Sequence, residues 1–573
     1  MGNQTDSNRR RLAAAAAFLM VATAGSRVLG LIREVIANAY LGLGAEMGAY
    51  TQAIKVPNLV RTLLADTALS AAFIPVFSGL LEKERRREAW QVAFTVTVAA
   101  TLALGVVTVL GVVFAPAIIK VVSPGWVDKY PESVALAAHL MQIMFPTVLV
   151  MGIAGIFMGI LNSYNHFSMP AIAPIVWNVI IIIVVAVFSD RYGFEALAWG
   201  VMLGTLAEFL LLVPFVWRRR WRSDPVPPDQ TINADEGVAV GKPPRVGGPP
   251  PVGEPSPWRL ALRSPEVKRI GILLGPVILS LGIVNFNAFI GTIVASLIGQ
   301  AAPAYIDKAF RLYQLPQGMF AIAIGTVLFP ALSRHGAAKR MAEFRTDLSL
   351  GIRQIFFVTL PFAAFFSVLA EPTVRLIYEY GKVVGDEAAI SGTSSALLFY
   401  SLGMAFVSVN TLLNRAFYSI QKSWVPLIMG AANLAVNAAI MLLLYRSMGV
   451  GGITLATSAV SIVNFFGLML LLSPRIGGVD VRRVAWSAGR SIIALIPLTG
   501  AAYGVWYGLD AALGAGLWQK IVSVLVAYLV GGGVYILAAW AMRMPELRDV
   551  LNVIRRRRHP RETDEVIDLE GGS

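Results

Sequence analysis

Long apolar segments recur along this chain and are separated by short polar or basic stretches. A helix needs roughly 20 mostly apolar residues to cross the hydrocarbon core of a bilayer, so each such segment is a candidate membrane span. The pattern predicts fourteen spans, near residues 12–40, 47–81, 89–119, 134–161, 171–189, 195–217, 266–299, 309–333, 350–378, 389–420, 425–445, 450–473, 485–508 and 517–542. The predicted fold is therefore an all-α polytopic membrane protein.

The composition agrees with this fold class and removes several kinds of chemistry. The 573 residues are 56% hydrophobic and only 14% charged, whereas soluble domains carry about 25% charged residues. The chain contains no cysteine and only four histidines. Disulfides and thiolate metal sites are therefore excluded, and no histidine-based metal motif can be built. We predict neither a catalytic centre nor a metal site.

The basic residues predict how the chain is oriented. If the N-terminus is cytoplasmic, the inner loops receive the main basic clusters, at residues 9–11, 82–88, 217–222, 334–340, 475–483 and 555–558. Lys and Arg are enriched in cytoplasmic loops of membrane proteins. An even number of spans then places both termini in the cytoplasm. The net charge of +14 suits an anionic lipid surface better than nucleic acid.

A Pro- and Gly-rich stretch divides the chain and has the composition of a flexible linker. Segments on its two sides resemble each other: LNSYNHFSMP begins at Leu161, and LNRAFYSIQKSWVP begins at Leu413. We predict two six-helix lobes related by a parallel repeat. The predicted organisation is a cytoplasmic N-terminus at 1–11, a first lobe at 12–217, a cytoplasmic linker at 218–265, a second lobe at 266–473, two extra C-terminal helices at 474–543 and a cytoplasmic tail at 544–573.

The start of the tail has a helical apolar pattern beside a basic run. Leu547, Val550, Leu551 and Ile554 lie at helical spacing, and four arginines follow at 555–558. This pattern predicts an interfacial helix on the anionic inner leaflet, with a solvated charged tail as the alternative.

Charged residues also occur inside the spans, where lipid would otherwise surround them. An arginine at the centre of a membrane helix costs roughly 2.5–3.5 kcal/mol even on the lenient insertion scale. These residues therefore need a polar environment. In the first two spans they are Arg27, Arg33, Glu34, Lys55, Arg61 and Asp66, and in the eighth span they include Asp307 and Arg311.

Two interpretations of these charges stay open. Glu34, Asp66 and Asp307 are acidic groups of a cavity or members of internal ion pairs, and the four-residue spacing of Asp307 and Arg311 predicts one such pair. Arginines nevertheless outnumber acids, and a guanidinium binds phosphate in a two-pronged geometry. We therefore predict that Arg27, Arg33, Arg61 and Arg311 bind an anionic ligand, a pyrophosphate or a carboxylate.

Other polar residues in the spans have less specific interpretations. Asn433, Asn437 and Thr457 could coordinate a monovalent cation through neutral oxygens. Hydrogen bonding between helices is the alternative. Glu208 and Glu371 are cavity or interfacial groups, and we favour the interfacial position for both.

Several motifs of the chain belong to a pattern seen in a known family. They are SRVLGLIRE at 26–34, KVPNLVR at 55–61, RLYQLPQGMFAIAIGTVLFPALS at 311–333, YEYGKV at 378–383 and NRAFYSIQKSWVP at 414–426. Together they resemble the MurJ/MviN family, lipid II flippases of the multidrug/oligosaccharidyl-lipid/polysaccharide exporter superfamily. The resemblance implies fourteen helices, with a cationic central cavity between two lobes and a lipid groove on the last two helices. Essential family arginines fall on Arg27, Arg33, Arg61 and Arg311, and an acidic position falls on Asp66.

The resemblance also implies a function. Such a protein is a transporter and not an enzyme. It flips lipid II, an undecaprenyl-pyrophosphate-linked disaccharide-pentapeptide, from the inner to the outer leaflet of the bacterial cytoplasmic membrane by alternating access. The implied partners are lipid II, membrane lipids and the cell-wall synthesis machinery, with no role for nucleic acid. Cell-wall biogenesis and cell shape would depend on it.

The chain departs from the family pattern at several positions. The family often has Asp where this chain has Gly48 and Phe310, and Glu where it has Gln314. Sodium-binding members carry Asp where this chain has Asn437. This departure weakens a sodium site, so Na⁺, H⁺ and membrane potential all stay open as the energy source.

Three alternative functions remain from the sequence. The first is a drug/ion antiporter or another polysaccharide-lipid exporter of the same superfamily. The second is a membrane glycosyltransferase, and the third is a scaffold for the cell-wall machinery. The short outer loops disfavour the glycosyltransferase, because few carboxylates are available there for catalysis.

Overall fold

The computed structural model describes residues 22, 25–63, 68–164, 166–221, 268, 286, 289–514 and 516–548. Within these residues the regular secondary structure is helical, and no strand occurs. The predicted all-α fold is confirmed. Most of the predicted linker, at 222–265, and of the tail, at 549–573, lies outside the described residues.

The helices divide between two compact units. The first comprises Met1–Tyr40, Ala53–Ile119 and Ala135–Gly282, and the second comprises Leu41–Gln52, Lys120–Val134 and Ile283–Ser573. The helices up to the linker are α1 (25–41), α2 (Ala45–Arg61), α3 (Ala68–Glu82), α4 (Arg86–Val113), α5 (Ala115–Val122), α6 (Pro131–Met144), α7 (Thr147–Ser163), α8 (Ser168–Tyr192) and α9 (Phe194–Trp221).

The remaining helices follow the linker. They are α10 (289–296), α11 (Ala302–Pro316), α12 (Ile322–Ala337), α13 (Met341–Val368), α14 (Ala370–Tyr378), α15 (Glu387–Ser419), α16 (Trp424–Ile476), α17 (Val481–Leu513), α18 (Leu517–Ala541) and a last turn at 545–548. A π-helical turn, Gln317–Ala321, joins α11 to α12.

Each unit has an apolar core of its own. In the first unit α3, α4, α7 and α9 meet around Phe73 and Phe77, whose rings stack with centroids 5.1 Å apart. In the second unit one core joins α13, α15 and α16, with Ile352 and Phe417 fully buried. A further core packs α17 and α18 against α13, and the Tyr535 hydroxyl donates to the Phe357 carbonyl at 2.9 Å. The two extra C-terminal helices therefore belong to the second unit.

The helix bounds follow most of the predicted spans. Among the described residues, nine helical stretches are long and apolar enough to cross a membrane, or ten if the bent pair around the π-helical turn is one span. The spans predicted at 12–40, 47–81 and 266–299 extend into residues outside the description. The count of fourteen stays a prediction.

One of the nine stretches, α16, contains two predicted spans. Its 53 residues would be about 80 Å long at 1.5 Å per residue, far more than one bilayer. Gly449 interrupts the helix with φ 55° and ψ −132°, a conformation that glycine adopts at little cost. The break falls between the predicted spans at 425–445 and 450–473.

The predicted eighth span is bent by 40°. Pro316 ends α11 and lacks the amide hydrogen that a regular helix would use. The π-helical turn that follows accommodates the break before α12 begins.

Candidate functional site

In the first unit Arg33 and Glu34 form a buried ion pair on α1. The Arg33 Nη2 atom lies 2.5 Å from Glu34 Oε1, and the two side chains are only 11% and 9% exposed. The guanidinium also lies over the ring of Trp177, with 4.7 Å between Cζ and the ring centroid. A carboxylate and an aromatic face therefore both stabilise this charge.

The neighbouring helices α8 and α9 hold Trp177 in place. Its Nε1 atom donates to the Thr205 hydroxyl at 3.2 Å, and that hydroxyl donates to the Val201 carbonyl at 2.8 Å. The ring is thereby fixed as a flat surface for the guanidinium.

A glycine of the SRVLGLIRE motif, Gly30, lies beside Asn178 of α8. A Cβ atom on this glycine would stand 3.8 Å from Asn178 Oδ1, an ordinary van der Waals distance. The Asn178 Nδ2 atom donates to the Pro174 carbonyl at 2.8 Å. This amide is buried, and its Oδ1 atom has no hydrogen-bond partner among the described residues.

The other predicted residues of the first unit differ in exposure. Arg27 is exposed, whereas Lys55 and Arg61 are partly buried on α2. Asp66 lies outside the described residues. The structure therefore fixes the environment of Arg33 and Glu34 in most detail.

In the second unit the predicted pair on α11 is confirmed. Arg311 Nε donates to Asp307 Oδ2 at 2.8 Å, across one helical turn. The Asp307 side chain is 9% exposed, and that of Arg311 is 38% exposed. The carboxylate thus orients a guanidinium that is still accessible.

The helix that carries this pair also contributes two rings to an aromatic cluster. The rings of Phe310, Tyr313 and Tyr400 form a cluster with centroids 5.2 to 5.8 Å apart. Phe310 is one of the departures from the family pattern, and here it packs on two tyrosines. The Tyr378 hydroxyl donates to the Lys308 carbonyl at 3.2 Å, which ties α14 to α11.

The departure at Gly48 has a structural reason. A Cβ atom on Gly48 would lie 1.8 Å from the Gln300 carbonyl oxygen and 2.8 Å from its carbon. Any side chain there would overlap the backbone that precedes α11. In the same helix Gln52 Nε2 donates to the Thr292 carbonyl at 2.9 Å. This close contact requires glycine at position 48.

A further arginine was not among the predicted ligands. Arg415 Nη1 lies 2.9 Å from where a Cβ atom on Gly325 would stand, and it donates to the Thr326 hydroxyl at 3.3 Å. It lies in NRAFYSIQKSWVP at 414–426, one of the motifs that resemble the family. Gly325 of α12, which leaves room for this guanidinium, is the residue in the sequence that could have indicated the contact.

The candidate cation residues lie on α16. Asn437 is buried, Asn433 is partly buried, and the Thr457 hydroxyl donates to the Ile453 carbonyl of its own helix at 3.4 Å. No group of three or more acidic or histidine side chains suited to a metal occurs in the described part of the chain. Monovalent cation binding stays a prediction.

An ionic network at one end of the second unit was also missed. Arg375 contacts Glu371 at 2.8 Å, Glu379 at 3.0 Å and Glu387 at 2.6 Å, and Lys520 contacts Glu379 at 2.7 Å. Arg375 donates two hydrogen bonds to Glu387, from Nη1 at 3.1 Å and from Nη2 at 2.6 Å. The network joins α14 to the first residues of α15 and α18.

The interfacial interpretation of Glu208 is wrong. This side chain is 3% exposed and lies on α9, one turn after Thr205, inside the first unit. The hydropathy pattern does not distinguish a helix face that meets other helices from one that meets head groups. Glu371, whose side chain is 58% exposed, agrees with an interfacial position.

Two solved structures share this fold. One, described as lipid II flippase MurJ in an inward closed conformation, aligns with a TM-score of 0.70 at 22% identity, covering 93% of this chain and 99% of that one. The other is an inward-facing multidrug resistance MATE family transporter of the MOP superfamily. Its TM-score is 0.60 at 16% identity, over 79% of this chain and 94% of that one. The chain therefore shares the multi-helical fold of these two structures.

Sequence similarity identifies the family to which the chain belongs. The family profile described as lipid II flippase MurJ matches residues 37–526. A probable lipid II flippase MurJ of Rhizobium meliloti (strain 1021) is 31% identical over 77% of each chain. The lipid II flippase MurJ of Burkholderia cenocepacia is 28% identical over 80% of this chain and 83% of its own. The chain belongs to the MurJ family, whose members are transporters of the bacterial cytoplasmic membrane and not enzymes.

Proposed function

We propose that this protein flips lipid II from the inner to the outer leaflet of the bacterial cytoplasmic membrane. The observation that carries the proposal is the family match over residues 37–526. Relatives in two organisms are named as flippases of that lipid. Movement between leaflets makes and breaks no bond, so the protein acts as a transporter in peptidoglycan biosynthesis.

In the second unit we assign binding of the anionic head group to Arg311. The bond from Nε to Asp307 fixes the plane of the guanidinium, and the side chain is 38% exposed. A guanidinium held in this way presents paired N–H groups to phosphate oxygens without further loss of side-chain freedom. Lysine would supply the charge but not this geometry.

We extend the proposal to Arg33 in the first unit, where its guanidinium is 11% exposed and paired with Glu34, so that binding an anion there requires this pair to open. Trp177 and Glu34 hold its guanidinium from two sides. The exposed Arg27 lies two turns earlier on the same helix. We propose that these residues and Arg61 bind pyrophosphate or carboxylate groups of the substrate, with the undecaprenyl chain remaining in lipid.

The proposed cycle is alternating access, in which the cationic residues meet the head group from the inner side and release it on the outer side. Each elementary charge moved across 100 mV changes the free energy by about 2.3 kcal/mol, so a cationic path responds to membrane potential. Coupling to Na⁺ or H⁺ and contacts with the cell-wall machinery remain predictions.

A drug/ion antiporter is a weaker candidate. The MATE structure shares the fold at 16% identity, so this likeness gives no information about the substrate of this chain. The arginines of this chain suit an anion, whereas a cationic drug would require a predominantly acidic pocket.

The test is complementation of a bacterial strain depleted of its own lipid II flippase. We expect the wild-type protein to restore growth and Arg311→Ala to fail, with both present in the membrane at similar amounts. Arg340→Ala is the matched control, because Arg340 is an exposed arginine that precedes α13. We expect this control to complement.

An accessibility assay for lipid II gives the direct readout. Depleted cells that carry Arg311→Ala should keep lipid II in the inner leaflet, and cells that carry Arg311→Lys should show reduced flipping. Normal growth and normal outer-leaflet lipid II with Arg311→Ala would contradict the assignment.

A further inference from the structure

The second unit contains a cavity of about 500 Å³ where α18 ends. α18 is one of the candidate membrane spans, so its end lies at the surface of the bilayer. The cavity walls combine an aromatic ring, two arginines and three smaller apolar side chains, which are Trp540, Arg543, Arg548, Ala541, Met544 and Leu547.

A buried carboxylate holds the wall of this cavity in place. Glu546 is fully buried and accepts hydrogen bonds from Arg353 Nη1 at 2.9 Å and from the Ser487 hydroxyl at 2.8 Å. Met544 and Leu547 on either side of it are also buried. The segment after α18 is therefore fixed to α13 and α17 at its first turn, whereas Val550, Leu551 and Ile554 of the predicted interfacial helix lie outside the described residues.

The chain reversal between α18 and this segment positions the first arginine. Arg543 has φ 52°, in the left-handed region, and its amide donates to the Trp540 carbonyl at 2.9 Å. The Met544 amide donates to the Ala539 carbonyl at 3.0 Å. These bonds terminate the helix and hold Arg543 at the cavity wall.

The charge of the cavity is positive. Arg543 and Arg548 line it and are exposed, and within the described part of the chain no acidic residue lines it. The nearby Glu546 is bonded to Arg353 on the buried side. Trp540 is 73% exposed at the helix end, a position where tryptophan contacts lipid head groups. Two guanidinium groups beside an exposed indole suit a phosphate that is attached to a lipid.

We propose that this cavity binds the phosphate head group of an anionic phospholipid, with Arg543 and Arg548 as the phosphate ligands and Trp540 against the glycerol region. The orientation predicted from the basic loops places the site in the inner leaflet. The site is separate from the arginines assigned to the substrate, and the proposal does not depend on the transport function. The same phosphate chemistry occurs in a lipid-linked pyrophosphate and in free phosphate, so the test separates the three.

The experiment measures binding to the purified full-length protein in detergent by native mass spectrometry. The probes are phosphatidylglycerol, phosphatidylcholine, undecaprenyl pyrophosphate and inorganic phosphate. We expect the double variant Arg543→Gln/Arg548→Gln to weaken phosphatidylglycerol binding roughly tenfold or more. Phosphatidylcholine binding should be unchanged, because that lipid carries no net charge.

The matched control is Arg340→Gln/Arg482→Gln, which removes two exposed arginines at other helix ends. We expect it to retain phosphatidylglycerol binding within about twofold, because contact at a built site outweighs the general surface charge. Equal losses in the two double variants would overturn the proposal and indicate surface charge alone. A loss confined to undecaprenyl pyrophosphate or to inorganic phosphate would also overturn it.

A second variant keeps both arginines and fills the space between them. Ala541→Phe places a ring in the cavity from the exposed end of α18. We expect it to weaken phosphatidylglycerol binding without changing net charge. Thermal unfolding of each variant checks the fold, and undiminished binding by a folded Ala541→Phe protein would contradict the site.

Discussion

The arginines that the sequence singled out have different environments at the residue scale. Arg311 and Asp307 are one turn apart, and helical spacing alone predicted their ion pair. Arg33 and Glu34 are adjacent in the sequence, so their Cα–Cβ bonds leave the helix in different directions. Their side chains nevertheless meet. Trp177 completes that contact from another helix. A contact of this kind depends on helix packing, which the sequence pattern does not specify.

The pair on α1 makes a direct prediction for stability. Glu34→Gln should lower the free energy of unfolding by roughly 3 kcal/mol, because it leaves a buried guanidinium without its carboxylate. Glu88→Gln is the control, since its pair with Arg85 is about half exposed and should contribute about 0–1 kcal/mol. Thermal unfolding in detergent measures both. Equal effects would show that the α1 pair is not buried in solution.

His166 provides a prediction for pH dependence. Burial and, to a smaller extent, Arg219 lower the pKa of this histidine. Its Nε2 atom has no hydrogen-bond partner among the described residues. Its ring stacks on that of Phe215, with 5.7 Å between the two ring centroids. The folded protein thus favours the neutral imidazole, and folding is penalised as pH falls below the ordinary value of about 6.5.

His166→Phe should remove this penalty and keep the ring stack. We expect the variant to lose less thermal stability than the wild type between about pH 7.5 and about pH 5.5. His335→Phe is the comparison, because the His335 Nε2 atom lies 3.3 Å from an Asp347 carboxylate oxygen. An identical pH profile for wild type and His166→Phe would contradict the assignment.

At the scale of elements, apolar length predicted where most helices lie but not how they break. The predicted span at 134–161 is two helices, α6 and α7, joined at residues 145–146. The eighth span contains a π-helical turn after Pro316. Proline marked both breaks in the sequence, because Pro146 lies in the first and Pro316 directly precedes the second. Packing at the first break is tight, since a Cβ atom on Gly111 would overlap the ring of Phe145.

The break in α16 leads to a test of close backbone approach. A Cβ atom on Gly452 would lie 2.6 Å from the Leu444 carbonyl oxygen, across the turn at Gly449. Gly452→Ala should therefore destabilise the protein by about 1–3 kcal/mol, because the parts of α16 before and after Gly449 must move apart to make room for the methyl group. Gly489→Ala is the control, since nothing lies within 4 Å of its Cβ position in α17, and alanine there should stabilise by about 0.5–1 kcal/mol. Comparable melting temperatures for the two variants would exclude a tight turn.

At the scale of the whole molecule, the repeated motifs predicted two lobes, and the structure forms two compact units. The lobe boundaries at 12–217 and 266–473 remain predictions. Residues 41–52 and 120–134 of the predicted first lobe belong to the second compact unit. The Arg375 network and the core around Tyr535 attach the last two helices to the second unit. Arg375 and Lys520 are far apart in the sequence, so the sequence pattern did not predict that both contact Glu379 in the folded chain.

The orientation of the whole chain rests on its basic loops and can be tested directly. The natural sequence has no cysteine, so a single introduced thiol gives an unambiguous label. Lys83→Cys lies in the basic turn after α3, and Val384→Cys lies in the exposed turn before α15. Because Lys and Arg are retained on the cytoplasmic side, a membrane-impermeant maleimide should label Val384→Cys in intact cells. Lys83→Cys should react only after the cells are permeabilised, and the reverse pattern would require the opposite orientation for every loop of the chain.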